Sequence, residues 1–90
     1  MSVVKVPAVL RANVGGAKEL EAAGGTIGEV IENLVTAYPA LGGQLLTPEG
    51  ELNRFVNVFL NGTDVRHLEA LDTRVSSGDQ LILLPAMAGG

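Results

Sequence analysis

The chain closes with Asp79-Gln80-Leu81-Ile82-Leu83-Leu84-Pro85-Ala86-Met87-Ala88-Gly89-Gly90, an apolar run followed directly by small residues. The run from Leu81 to Leu84 is apolar on both faces, which is typical of a strand at the centre of a sheet. Proline lacks the N–H that a sheet ladder uses, so Pro85 is expected to end a strand spanning Gln80 to Leu84. We therefore predict a folded domain over residues 1–84 and a flexible tail over residues 85–90.

The predicted tail is slender and uncharged up to its tip. Fully extended, residues 85–90 span roughly 20 Å, and the two final glycines leave the tip narrow. The reactive group of such a tail is the α-carboxylate of Gly90. This suits a protein whose own end enters the active site of another enzyme. The alternative is an ordinary disordered end, which is common in proteins. The absence of any linker between strand and tail favours the first interpretation.

The first third of the chain supplies two further strand signals. The β-branched run from Val3 to Leu10 predicts a first strand, in which Pro7 marks an open edge or a bulge. The segment from Ala17 to Ala23 is short and lies between two glycine pairs. We therefore expect a second strand that forms a hairpin with the first.

One helix is clearly marked. Thr26 and Glu29 have the spacing of a capping box, in which the Thr hydroxyl and the Glu carboxylate satisfy free N–H groups of the first turn. Apolar residues then recur at spacings of three and four, which predicts one buried stripe: Ile27, Val30, Ile31, Leu34, Val35 and Tyr38. Pro39 is expected to stop this helix.

The second half reads as an irregular segment followed by more strands. Residues 40–53 look irregular, with one short turn of helix at 41–46. Arg54 to Leu60 is a strand, Asn61-Gly62 a tight turn, and Thr63 to Arg66 a short returning strand. In the connection that follows, we expect three residues to enter the core: Leu68, Leu71 and Val75. The order of elements predicts an α+β, β-grasp (ubiquitin-like) fold. In that fold a mixed sheet packs on one main helix, with the first and last strands parallel at its centre.

Composition excludes several functions. The 90 residues contain no cysteine, so disulfides and thiolate chemistry are excluded. A net charge of −4 and only three aromatic residues argue against a nucleic-acid binder and favour basic surfaces on protein partners. The longest apolar run is far too short to span a bilayer, and the N-terminal residues do not resemble a signal peptide. We expect a cytoplasmic protein that does not bind membranes.

Catalytic motifs are equally scarce. His67, the single histidine, lies in a polar connection and is expected at the surface, and Ser76 and Ser77 lack a nucleophile motif. We predict no catalytic residue, no metal site and no bound cofactor, and hence a protein that is not an enzyme.

Two phenylalanines suggest a binding surface instead. If Val56, Val58 and Leu60 face the helix, Phe55 and Phe59 project from the opposite face of the sheet. An exposed apolar patch on a small protein marks a docking surface. The alternative is that residues 40–53 or 67–77 fold over both rings.

The chain resembles the sulfur-carrier branch of the ubiquitin-like superfamily, the small ThiS and MoaD proteins, and especially the CysO-type carriers. The resemblance covers nearly the whole chain and is carried by these residues: Arg54-Phe55-Val56-Asn57, Asn61, Asp64-Val65-Arg66, Gly78-Asp79 and Leu84 to Gly90. It implies that an E1-like enzyme uses ATP to adenylate the carboxylate of Gly90, which sulfur then converts to a thiocarboxylate.

The resemblance also implies roles for the tail and its partners. Gly89 would be the companion residue that a narrow channel requires, and the threaded arm would be Pro85, Ala86, Met87 and Ala88. A CysO-type carrier would pass its sulfur to a PLP-dependent synthase, after which a metalloprotease frees the product. Ubiquitin has a basic residue before its final glycines. Ala88 in that place favours a carrier over a modifier conjugated to lysines. A small subunit of molybdopterin synthase is a further alternative.

Overall fold

The computed structural model describes residues 1–85, which contain a five-stranded mixed sheet packed against a helix. The strands are β1 (Ser2–Lys5), β2 (Glu19–Ala22), β3 (Val56–Leu60), β4 (Thr63–Asp64) and β5 (Gln80–Pro85). The α-helices are α1 (Ile27–Ala37) and α2 (Gly42–Leu45). Short 3-10 helices cover Ala8–Val14, Pro39–Leu41, Val65–His67 and Ala70–Asp72. The predicted α+β class is confirmed.

The strand order places the chain's last strand at the middle of the sheet. The order is β2-β1-β5-β3-β4, with β5 parallel to β1 and antiparallel to β3. β1 and β2 form the predicted antiparallel hairpin. The expectation of parallel first and last strands at the centre is therefore confirmed. β1 and β5 run in the same direction, toward the end of the sheet where β5 finishes.

Helix α1 begins at the predicted cap. Thr26 Oγ1 accepts a hydrogen bond from the Glu29 N–H at 3.2 Å. Glu29 Oε1 reaches back to accept from the Gly25 N–H at 2.7 Å, one residue before the cap itself. The helix ends at Ala37, ahead of Pro39, as predicted.

The core lies between α1 and one face of the sheet. Most of the predicted helical stripe is buried, namely Ile27, Val30, Ile31 and Leu34, while Val35 and Tyr38 are partly buried against it. The sheet contributes Val4, Val58, Leu81 and Leu83, each at most 1% exposed. Burying such a side chain contributes about 1.5–3 kcal/mol. These contacts cover the face of the sheet that packs on α1, and they leave the opposite face without a helix packed on it.

The first strand is shorter than predicted. β1 ends at Lys5 rather than Leu10, because Pro7 instead precedes a 3-10 helix over Ala8–Val14. The Leu10 N–H donates to the Pro7 carbonyl at 3.0 Å. Gly15, at a φ of 68°, then ends that helix in the left-handed region that glycine adopts easily.

Local side-chain hydrogen bonds also shorten the later strands. β3 begins at Val56 rather than Arg54, since Asn53 Oδ1 accepts from the Phe55 N–H at 2.9 Å and closes a turn there. β4 stops at Asp64, whose carboxylate accepts from the Arg66 N–H at 2.8 Å and starts a 3-10 turn. Side chains of this kind compete with the sheet ladder for backbone groups.

The connection after β4 corrects one core prediction. Leu68 was expected in the core but is 47% exposed. Val75 is buried, and Leu71 is partly buried against the core. The backbone forms one 3-10 turn at Val65–His67 and a second at Ala70–Asp72. Leu68 lies between these two turns and belongs to neither.

Candidate functional site

The structure places the root of the predicted tail but not its tip. Pro85 is the last residue of β5, one residue beyond the predicted strand end. The other predicted tail residues, Ala86, Met87, Ala88, Gly89 and Gly90, lie outside the described residues. Their roles, and that of Gly90 as the site of activation, stay predictions.

Backbone pairing holds β5 on both sides over its first half and on the β3 side as far as Pro85. Pro85 lies opposite Val56 and Leu83 opposite Val58 in the antiparallel ladder with β3. On the other side, Leu81 lies opposite Val4 of β1. Because Val4, Val58, Leu81 and Leu83 are all buried, a shift of register would expose this whole set to water. The register of β5 up to Pro85 is therefore fixed.

The start of β5 is held by a pair of polar side chains. Asn61 Nδ2 donates to Asp79 Oδ1 at 3.2 Å, and Asn61 Oδ1 accepts from the Gln80 N–H at 3.0 Å. Asn61 has a φ of 49° and Gly62 a φ of 92°, as in a tight hairpin turn. Two hydrogen bonds lower the pKa of Asp79 from its usual value of 3.8, because both stabilise the carboxylate. The larger effect comes from the Ser76 N–H and the smaller from the Asn61 side chain.

The face of the sheet away from α1 carries an apolar surface, which we call the outer patch: Phe59, Ile82 and Leu84. Ile82 lies opposite Phe59, and Leu84 lies opposite Asn57 of β3. Neighbouring strands lie about 4.8 Å apart, so these side chains form one continuous surface. Leu84 is 41% exposed, and the other two are half-buried. Phe59 therefore lies on the face where it was predicted.

Phe55 lies at the edge of this surface rather than on it. It belongs to the turn before β3, and the residue is 50% exposed. The Arg54 guanidinium lies 5.1 Å from the ring centroid, a cation–π distance. Phe55 also lines an open groove of about 650 Å³ with Leu46, Pro48 and Leu52. The segment 40–53 thus borders the ring without covering it.

Arg66 connects the turn that contains Asn53 to Asn57 of β3. Its guanidinium donates to Asn57 Oδ1 at 3.0 Å and to the Asn53 carbonyl at 2.7 Å. These bonds hold the turn that presents Phe55 against the first residues of β3. Sequence reasoning did not assign this role. Asn53 and Asn57, the two partners of the guanidinium, were the only sequence features that could have suggested it.

Ile82 and Leu84 were also missed as surface residues. An apolar run at the sheet centre favours burial on both faces. The signal that would have corrected this is register. Once β3 pairs with β5, any residue opposite Phe59 must share its open face.

The remaining candidates behave as follows. His67 is exposed, as predicted. Within residues 1–85, no group of three or more histidine, cysteine or acidic side chains is placed to hold a metal ion. None of the helices in this part of the chain is long and apolar enough to cross a membrane.

Comparison with known proteins agrees with this arrangement. The model of the ThiS family matches residues 4–90. The sulfur carrier protein CysO of Mycobacterium tuberculosis is 42% identical over 89 residues, which cover 97% of this chain and 96% of CysO. Small archaeal modifier protein 3 of Haloferax volcanii is 38% identical over 65 residues, which cover 72% of this chain and 70% of that protein.

A solved structure shows the same fold. The crystal structure of the Amycolatopsis orientalis BexX/CysO complex matches with a TM-score of 0.92 and 39% identity, covering all of both chains. This likeness confirms the predicted β-grasp, ubiquitin-like fold. It also shows that a relative of the same length forms a complex with another protein.

Proposed function

This chain belongs to the ThiS family, and we propose that it is a sulfur carrier that works through the carboxylate of Gly90. The observation that carries the proposal is the extent of the match. The family model extends through residue 90, and CysO aligns over 97% of this chain. The proteins that it resembles are carriers rather than catalysts, so we propose a protein co-substrate and not an enzyme.

The proposed chemistry begins with activation of an inert group. A carboxylate resists substitution until one oxygen becomes a good leaving group. A Gly90 oxygen would attack the α-phosphate of ATP in an E1-like enzyme and displace pyrophosphate. A sulfide equivalent (HS⁻) would then attack the acyl carbon, displace AMP and lose its proton, which leaves a thiocarboxylate. The chain has no cysteine that could capture the activated acyl group instead.

The folded body would serve to position this reaction. Pairing with Val56 of β3 holds Pro85 in the sheet, so the five residues beyond it would leave from a defined point. They span at most about 18 Å. Phe55 and the outer patch border that point. We propose that these apolar side chains dock on the activating enzyme while Gly90 enters its active site.

The acceptor follows from the same likeness. CysO of A. orientalis forms a complex with BexX. We propose that this chain also binds a separate protein, and that this partner is the enzyme that accepts its sulfur. On the resemblance to CysO-type carriers, that acceptor would be a PLP-dependent synthase, with a metalloprotease to release the product.

The decisive experiment is intact-mass analysis of the protein from its native host, grown short of sulfur. We expect a subpopulation heavier by the difference between sulfur and oxygen. An alkylating reagent should label it at Gly90, since the chain has no cysteine to compete. A variant lacking Gly90 is the control and should show neither signal. Absence of the heavier form would contradict the carrier proposal.

A second candidate is a modifier conjugated to lysines. It is favoured by the 38% identity to a small archaeal modifier protein. Both functions begin with an adenylate, so the fate of the acyl group separates them. Sulfur attack leaves one chain of altered mass, whereas lysine attack gives a branched product. Digestion and mass spectrometry that found Gly90 in branched lysine peptides would establish the modifier.

A further inference from the structure

Arg66 is an exposed residue whose backbone is held by the two residues before it. The Asp64 carboxylate accepts a hydrogen bond from the Arg66 N–H at 2.8 Å, which starts the 3-10 turn over Val65–His67. Val65, between the two, is fully buried in the core. A buried neighbour and a side-chain cap together give the long side chain of Arg66 a rigid base.

The guanidinium of Arg66 bonds both sides of the turn that carries Phe55. One nitrogen, Nη1, donates to Asn57 Oδ1 at 3.0 Å, and the other, Nη2, donates to the Asn53 carbonyl at 2.7 Å. Asn53 begins the turn, because its carbonyl also accepts from the Val56 N–H at 3.1 Å. Asn57 is the second residue of β3. Arg66 thus joins the start of the turn to the strand that follows it.

The direction of the Phe55 ring depends on this turn. Phe55 is 50% exposed, and its N–H donates to Asn53 Oδ1 at 2.9 Å. The Arg54 guanidinium, which lies 5.1 Å from the ring centroid, belongs to the same turn. The core cluster of the described residues does not include Phe55. A change in the backbone of the turn would therefore move the ring and its cation together.

Asn57 connects the same hydrogen bonds to the outer patch. It lies opposite Leu84 in the ladder between β3 and β5. Phe59 is two residues further along β3 and shares the face of Asn57, because side chains alternate along a strand. Arg66 therefore fixes the Phe55 turn relative to the strand that carries part of the outer patch.

Two simpler roles for Arg66 predict different behaviour. If its hydrogen bonds served only the stability of the fold, their loss would cost little, because both bonds are exposed and the Asn53 carbonyl keeps the Val56 N–H as a partner. If only its positive charge mattered, a lysine would replace it. A guanidinium reaches two separate oxygens with two nitrogens, whereas an ammonium is a single point charge.

We propose that Arg66 is a positioning residue for docking on the activating enzyme: it holds Phe55 and the outer patch in one fixed arrangement, so that both contact the partner at once. This inference rests on the proposed function, because it names what keeps the docking surface of that function in shape. A surface whose binding arrangement is populated for only a fraction of the time binds more weakly by that fraction. One hydrogen bond corresponds to a factor of about two to ten in such an equilibrium.

The test is activation by the E1-like enzyme of the same organism, followed as pyrophosphate release over a range of carrier concentrations. Arg66→Lys keeps the positive charge but not the contact with two oxygens. Arg74→Lys is the matched control at an exposed arginine that pairs through its backbone with Thr26. We expect KM for the carrier to rise about threefold to tenfold for Arg66→Lys, with kcat unchanged. Arg74→Lys should change KM by less than about twofold.

A double-mutant cycle tests whether Arg66 acts through Phe55. Once the ring is absent, its position no longer matters, so Arg66→Lys combined with Phe55→Ala should have a KM within about twofold of Phe55→Ala alone. Full additivity of the two effects, or an unchanged KM for Arg66→Lys alone, would overturn the proposal and leave the carrier function intact.

A second measurement does not depend on the activating enzyme. In ¹⁵N NMR relaxation, the order parameter of the Phe55 amide should fall in Arg66→Lys from the rigid value of about 0.85 toward the flexible value of about 0.6, while that of Leu83 in β5 stays rigid. Absence of activation in the wild type would contradict the carrier function, and relaxation would then decide the role of Arg66. An unchanged order parameter without added relaxation dispersion at Phe55, or an equal fall at Leu83, would overturn that role.

Discussion

Phe55→Ala and Val58→Ala affect residues three positions apart with opposite expected consequences. Fully burying a phenylalanine contributes about 1.5–3 kcal/mol. The Phe55 ring is 50% exposed and borders an open groove, so its loss should cost about 1 kcal/mol without a cavity. Val58 is fully buried. Removing its two methyl groups should cost about 2–3 kcal/mol, because a closed cavity adds to the transfer term.

Thermal unfolding and activation kinetics together test this contrast. For a domain of this size each kcal/mol shifts Tm by about 4–8 °C, so Val58→Ala should melt roughly 10–20 °C lower and Phe55→Ala only about 5 °C lower. Below its Tm, Val58→Ala should be activated normally, whereas Phe55→Ala should require more carrier for the same rate. Phe59→Ala should resemble Phe55→Ala in activation. A loss of about 3 kcal/mol or more for Phe55→Ala would mark a core residue, and unchanged activation of both Phe variants would refute the docking surface.

Three further outcomes follow from single groups. Deleting Gly90, or adding one residue after it, should abolish activation in the pyrophosphate assay but leave Tm nearly unchanged, because all the paired residues of β5 precede it; a lower Tm would assign the tail a structural role. Thr26→Ala should cost about 1 kcal/mol in chemical denaturation, since it removes the helix cap; Thr26→Ser, which keeps the hydroxyl, is the control. The lowered pKa of Asp79 gives stability that is present above its usual value of 3.8 and is lost as pH falls through the folded-state pKa. Asp79→Asn should therefore lose less stability than the wild type as the pH falls on the acid side. An unchanged loss would contradict this.

Sequence patterns predicted the elements that depend on strong local signals. The Thr26 cap, the helical stripe and Pro39 fixed α1 to within one residue at its C-terminal end. The apolar run at Leu81 to Leu84 identified the central strand. In each case the signal comes from the element's own residues, so neighbouring segments did not alter it.

Strand ends were predicted poorly because other groups compete for the same backbone. Asn53 and Asp64 hydrogen-bond nearby N–H groups and end the ladder early. Such bonds depend on side-chain position, which residue type alone does not give. The register between β3 and β5 could likewise not be predicted from the sequence. Without the pairing of Ile82 with Phe59, nothing in the sequence showed that half of the central strand faces outward.

The residues around the end of β5 illustrate the same limit at the level of the whole molecule. Lys5, Lys18, Arg54 and Arg66 are scattered along the chain, and no cluster of basic residues appears in the sequence. Three antiparallel pairings and one parallel pairing bring them toward the end of the sheet where β5 finishes. The first and last strands run toward the same end of the sheet, and the predicted tail begins at that end. The pairing that places Pro85 opposite Val56 therefore brings the root of the tail next to residues that lie some thirty positions before it in the chain, and no local pattern in the sequence could show this.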